Sequence, residues 1–169
     1  MDKTIASVAV AMMEKNRGDR KRTEHSLKVF SYAQALGKLE ELGQEQQQVL
    51  ELTALLHDIG IHVAEQKYHS SSAHYQELEG PFVAREILEN LSVSKDIIER
   101  VCFIISRHHT FTAIDGPDFQ LLVESDFLVN AVEDNMSDNQ IINFSQNIFK
   151  SVSGKYFLKL LFPDYFKDK

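Results

Sequence analysis

The sequence predicts an all-α fold, a bundle of about seven to eight helices, on three observations. Glycine and proline are scarce, 7 and 3 in 169 residues. Apolar residues recur at the three-to-four spacing of a single helical face. The strand signal is weak, because apolar runs such as residues 101–105 sit inside longer helical patterns.

Ile5, Val8, Ala9 and Met12 mark a first helix that ends near Gly18. A second is expected over about 19–36, with His25, Val29, Ala33 and Leu36 on one stripe. The third runs from about Glu45 through Val49, Leu52 and Leu56 to Ile59 and stops at Gly60. Residues 61–76 carry three serines, Ser70, Ser71 and Ser72, without a clear period, and are expected to form a long loop of the kind that carries function. Pro81 then opens a helix at its first turn, with Val83, Ile87 and Leu91 behind it. Further helices are predicted over 94–107, 120–133, 139–152 and 155–162, the last ended by Pro163. With no linker or repeat, the whole of 1–169 is expected to be one domain. Its motif-bearing core covers about 20–135, and the C-terminal helices about 138–162.

Composition narrows the function. A hydrophobic share of 43% and a charged share of 25% fall in the globular range. The net charge of −7 argues against nucleic acid or an anionic membrane as partner, despite the basic run Arg17, Arg20, Lys21 and Arg22. A spanning helix needs about 20 apolar residues and no window comes close, so the protein is read as cytoplasmic. The single cysteine, Cys102, permits no internal disulfide and reads as a small buried side chain.

Three positions break the helical pattern. His57 and Asp58 close the apolar stretch 50–56, where an ionised carboxylate is costly unless paired or bound to a cation. Asp126 lies between Leu122 at i−4 and Val129 at i+3, with apolar residues on both sides. His25 shares its stripe with Val29, Ala33 and Leu36. Taken singly, each has a bland reading: a solvated helix end, an escaped polar side chain, a satisfied core histidine. Together they put ligand-type groups from three helices where packing would favour apolar residues. Imidazole and carboxylate form the mixed set that suits Mn, Fe, Co, Ni or Zn, with Mg an alternative.

The order His, then His-Asp, then Asp resembles the HD superfamily of metal-dependent phosphohydrolases. The matching text is Thr23-Glu24-His25-Ser26-Leu27-Lys28-Val29, then Leu55-Leu56-His57-Asp58-Ile59-Gly60, then Leu122-Val123-Glu124-Ser125-Asp126. The resemblance implies one or two divalent ions held by His25, His57, Asp58 and Asp126. Looser matches surround this set. His108 and His109 end a helix where binuclear members such as the HD-GYP proteins carry extra histidines, although a helix C-terminus also favours cationic side chains. The family segment that often begins with a ligand histidine four residues before a glycine carries Gln76 there, followed by Glu77, with His74 two residues earlier. Either His74 substitutes as a ligand, or the site is mononuclear and Glu77 acts as general acid or base. Arg22, a helical neighbour of His25, is the candidate for reaching a substrate phosphate.

The implied function is hydrolysis of a nucleotide or other small phosphoester by a metal-activated water, with Asp58 bridging ions or orienting that water. Glu77 or a histidine of the 108/109 pair would protonate the leaving oxygen. The alternative is a catalytically silent signalling or interaction module that retains a metal site. A small anionic substrate is the expected partner, and homo-oligomerisation stays open. Ligand histidines must be neutral, so metal affinity is expected to fall below about pH 6.5.

Overall fold

The computed structural model describes residues 3–165, and among them every regular element is helical. α1 spans Lys3–Lys15, α2 Arg20–Leu39, α3 Gln44–Leu56, α4 Ile61–Tyr68, α5 Ala73–Asn90, α6 Lys95–Ile105, α7 Pro117–Glu133, α8 Asp138–Asn147 and α9 Val152–Leu161. Short 3-10 turns follow at Phe111–Ala113 and Pro163–Tyr165. The all-α expectation holds, with nine α-helices described in place of seven to eight.

The additional helix is α4, which corrects the long loop expected over 61–76. Only Ile61 and Ala64 of its eight residues are buried, too short a stripe to rise above sequence noise. The true connection is residues 69–72, opened by His69 in the left-handed conformation (φ 53°) that ends α4. Pro81 is the second correction. It lies well inside α5 rather than in its first turn, at the cost of the helix hydrogen bond to the Glu77 carbonyl. α3 also stops earlier than expected. His57 is its C-cap, and residues 57–60 make a tight turn closed by Ile59 N–H to Leu56 O and Ile61 N–H to Asp58 O.

α3 is the axis of the molecule. Val49, Leu50, Leu52, Ala54, Leu55 and Leu56 are all buried, as are Gln47, Glu51 and Thr53, so this helix is covered on every side, with Gln47 donating to Glu51 (2.7 Å). α1, α2, α6 and α7 supply that cover. α2 buries the predicted stripe of His25, Val29, Ala33 and Leu36, and packs on α7 as well as α3. α5 lies across α6 and α4. The C-terminal helices are tied down by two carboxylates, one buried and one partly exposed. Glu124 of α7, fully buried, accepts from the backbone N–H of Lys150 (2.7 Å) and Ser151 (3.0 Å) and from the Ser151 hydroxyl. Glu40 accepts from the Ser153 N–H (2.7 Å), so two carboxylates answer the unpaired donors at the start of α9. Among the described residues no helix is long and apolar enough to cross a membrane.

The turn that carries His57 and Asp58 is fixed by a close backbone approach. A Cβ on Gly60 would stand 2.5 Å from the Gly80 nitrogen and 2.7 Å from its Cα. Only hydrogen fits, so α5 can press directly against the end of the His57–Gly60 turn. Gly60→Ala is therefore expected to destabilise by about 1–3 kcal/mol, since backbone cannot move aside as a flexible side chain would. A thermal melt would show a loss of several degrees; an unchanged midpoint would contradict the contact.

Candidate metal centre

Helix ends place the histidines. The last turn of α3 leaves carbonyls without helical partners, and His57 folds back so that Nδ1–H donates to the Ala54 carbonyl (3.0 Å). His108 does the same after α6, donating from Nδ1 to the Ile105 carbonyl (2.7 Å). His25 donates from Nδ1 to the Glu133 carboxylate (3.0 Å), which Lys28 also holds (2.8 Å). All three rings thus spend Nδ1 on the scaffold and present Nε2. A backbone carbonyl or carboxylate that fixes the tautomer in this way is the usual support of a metal-ligating imidazole.

The Nε2 atoms converge with the two aspartates. His25 Nε2 lies 3.3 Å from His57 Nε2, 3.2 Å from Asp126 Oδ1 and 3.7 Å from Asp58 Oδ2. His57 Nε2 is 3.5 Å from each of those oxygens. Metal–ligand bonds of about 2.0–2.2 Å put neighbouring ligand atoms about 2.9–3.6 Å apart, a range that holds all of these distances except the 3.7 Å from His25 to Asp58. Asp58 also turns its other oxygen, Oδ1, toward His108 Nε2 at 3.7 Å. The ligand atoms accordingly form two groups that share Asp58: His25, His57 and Asp58, and Asp58, His108 and His109. His108 Nε2 is buried and has no hydrogen-bond partner. A buried nitrogen left unpaired costs about 1–3 kcal/mol, and a cation beside Asp58 would satisfy it.

Electrostatics report the same crowding. Burial alone would depress the His57 imidazolium, but Asp58 and Asp126 outweigh it and push the pKa up to about 9. His25 is also raised, its burial offset by Asp126 and Asp58. Asp58, which burial would raise, is held down at about 2, chiefly by His57 and His108. Asp126 is likewise held well below the usual carboxylate range by His25 and His57. Desolvation, with the neighbouring His108, lowers His109 to about 4 and leaves it neutral. Proton competition for the ligand nitrogens therefore extends to about pH 9. The limit near 6.5 expected from sequence ignored the carboxylates that tertiary structure gathers around the rings.

The remaining predicted residues divide. His109 Nε2 meets Gln76 Oε1 at 3.1 Å, so the glutamine standing in the family's histidine position contacts this ring. Glu77 accepts from the His109 backbone N–H (3.0 Å) and the Thr110 hydroxyl (3.2 Å), bracing the turn that carries His109. His74 is exposed and packs on Tyr75; neither ligand group includes it, which corrects its suggested substitution as a ligand. The cause is local: His74 and Gln76 point from different sides of α5, and only Gln76 meets His109. Arg22 sits at the rim of a cleft of about 250 Å³ with His25 and Asp58, where its guanidinium forks onto Glu65 (2.6 and 3.1 Å) and pairs with Asp19 (3.1 Å).

Sequence reasoning missed Asn130 and Glu133. Asn130 donates to Asp126 Oδ1 (2.9 Å), and Glu133 orients His25. With Asp126 they form a polar stripe at i, i+4 and i+7 along α7, a signal that could have been read.

With the geometry in view, the comparisons are decisive for family. The HD domain family model matches residues 22–142, well over half of the chain, a span that includes His25, His57, Asp58 and Asp126. The chain belongs to the HD domain family. No curated protein and no solved structure matches it. HD domains are typically metal-dependent hydrolases that bind divalent ions, and the buried His/Asp cluster of this one is compatible with such a site.

The metal-free protein should reveal the proton that stands in for the cation. His57 gains stability from its raised pKa. That contribution is fully present below the unfolded value near 6.5 and is lost as pH rises through about 9. Chelator-treated protein is expected to lose about 2 kcal/mol between pH 6.5 and 9, and the His57→Asn variant to lose much less. Stability that rises over that window in the chelated wild type would refute the charge assignment.

Proposed function

We propose that this chain is a metal-dependent phosphohydrolase acting on a nucleotide or another small phosphoester. The observation that carries the proposal is the buried, unpaired His108 Nε2 facing the second oxygen of an aspartate whose first oxygen faces His25 and His57. That arrangement suits two ions sharing Asp58, with His25, His57 and Asp126 on one side and His108 and His109 on the other. A bound divalent cation supplies an acidified water and neutralises charge on the phosphoryl oxygens.

The protein's own groups define the rest. Asp58, one-fifth exposed at the cleft, is ionised throughout the neutral range and can orient a water for attack. The cleft is dominated by carboxylates, Asp19, Asp58, Glu133 and Asp134 facing Lys21 and Arg22, so an anionic ester would be repelled from the bare site. A cation held by the cluster would offset that repulsion. His109, neutral at physiological pH, would join the second ligand group without a proton to displace. Arg22 could swing from Glu65 to a phosphate, since its pair is only partly buried.

Elemental analysis of the purified protein should find a divalent transition metal. A phosphate-release screen over nucleotides and simple esters should show activity that depends on added Mn²⁺, Co²⁺ or Ni²⁺. His57→Ala is expected to lose most of the metal, and Asp126→Ala both metal and at least about 100-fold in rate, with the helical circular dichroism of both retained. Metal content unchanged in His57→Ala would sink the assignment.

A further inference from the structure

The ligand cluster opens on a second side into a cavity that phosphate chemistry alone does not explain. Its volume is about 310 Å³, at the lower end of the range typical of small-molecule sites. Asp126 and His109 are among the residues that line it, so it adjoins the cluster. Its walls are of another character. Phe111, Phe127, Phe144 and Met136 line it, beside the amides of Gln140 and Asn143. Phe127 and Phe144 are stacked face to face (centroids 3.8 Å apart, planes at 13°), and Phe111 stands edge-on to Phe144 at 5.3 Å. Phe111 is 39% exposed, so part of this aromatic wall faces solvent when nothing covers it.

The amides add direction. Gln140 is the third residue of α8, and its Oε1 accepts from both the N–H and the hydroxyl of Ser137 (2.9 Å each) in a capping box. A backbone N–H can only donate, so Gln140 must present oxygen to the cap. Its NH₂ group is left to donate elsewhere. An aliphatic group would fill the aromatic wall but leave this donor unused; a bare phosphate or sugar phosphate would leave the wall wet.

We infer that this cavity is the subsite for a planar heteroaromatic ring, stacked against the Phe111/Phe144 wall and accepting a hydrogen bond at its edge from Gln140. The substrate class is then nucleoside phosphates rather than phosphoesters at large. This rests on the phosphohydrolase reading of the adjoining cluster and sharpens it. α8 and the Phe111 turn become the elements that select the substrate, apart from those that hold metal.

Calorimetry on the Mn²⁺-loaded protein with adenosine, guanosine and uridine 5′-monophosphates, against ribose 5-phosphate, tests the ring directly without requiring turnover. At least one nucleotide should bind about tenfold or more tighter than the ring-free ester, the scale of base stacking on aromatic side chains. Phe144→Ala should shrink that ratio several-fold. Because Phe144 also packs on Phe127 and Phe149, Gln140→Glu provides a variant that keeps the capping box, for which glutamate serves equally. It too should lower the ratio, with unchanged metal content and melting temperature as controls. Equal affinity for nucleotides and ribose 5-phosphate, or a ratio unmoved by both variants, overturns the inference. Phosphate release from both ester types at equal kcat/KM alongside equal affinity would leave the hydrolase and remove the subsite. Ring-selective binding with no phosphate release from any ester would leave the subsite and remove the hydrolase.

Discussion

Lone pairs without a donor govern this molecule. His25 and His57 each commit Nδ1–H to the scaffold, and their Nε2 atoms then face one another and the oxygens of Asp58 and Asp126 across 3.2–3.7 Å. Four acceptors at such distances repel unless something positive lies among them. A proton on His57 is the minimal solution, which is why its basicity climbs so far above that of free imidazole. A divalent cation would be another, and His108 Nε2, which a proton on His57 does not reach, would be met by a second ion on the other oxygen of Asp58. The cluster is thus built for a charge that the chain does not itself carry.

Holding such a cluster together demands a stiff surround, and the helices supply it. α3 is sheathed in apolar contact and delivers His57 at its C-terminus; α6 delivers His108 by the same i to i−3 fold-back onto a carbonyl. The contact of Gly60 with Gly80 locks the intervening turn. α7 contributes Asp126 to the cluster, its hydrogen-bond donor Asn130, and the carboxylate Glu133 that orients His25 across the interface with α2. Buried Glu124, on the same helix, anchors α9. One helix therefore couples the metal centre to the C-terminal packing.

The site is asymmetric, and its two sides suit different chemistry. Toward Arg22 and Lys21 the cleft is mostly charged, with Ile61 and Asn130 the uncharged residues of its lining. Toward Phe111, Phe127 and Phe144 it is mostly apolar, with the three amides of Asn130, Gln140 and Asn143. Asn130 lines both, between the two. A ligand with an ionic end and a flat, polar-edged end matches that division better than a symmetric one.

The all-α class was legible in the sequence, and His25, the His57-Asp58 pair and Asp126 stood out in it because each departs from a periodic local pattern. Scarce glycine and proline, the His25 stripe and Asp126 among apolar neighbours need no tertiary knowledge to stand out. α4 was hidden because two buried residues make no readable period, and Pro81 misled because proline more often opens a helix than interrupts one. What tertiary structure alone decided is which polar residues meet. Nothing local distinguishes His74, exposed, from His108, buried against Asp58. Likewise, nothing in the chain order shows Gln76 on His109 or Phe144 on Phe127. Sequence records the ligand types, since burying charge in an apolar stripe leaves a local mark; ligand geometry, proton affinity and the shape of the adjoining cavity arise from contacts between helices far apart in the chain.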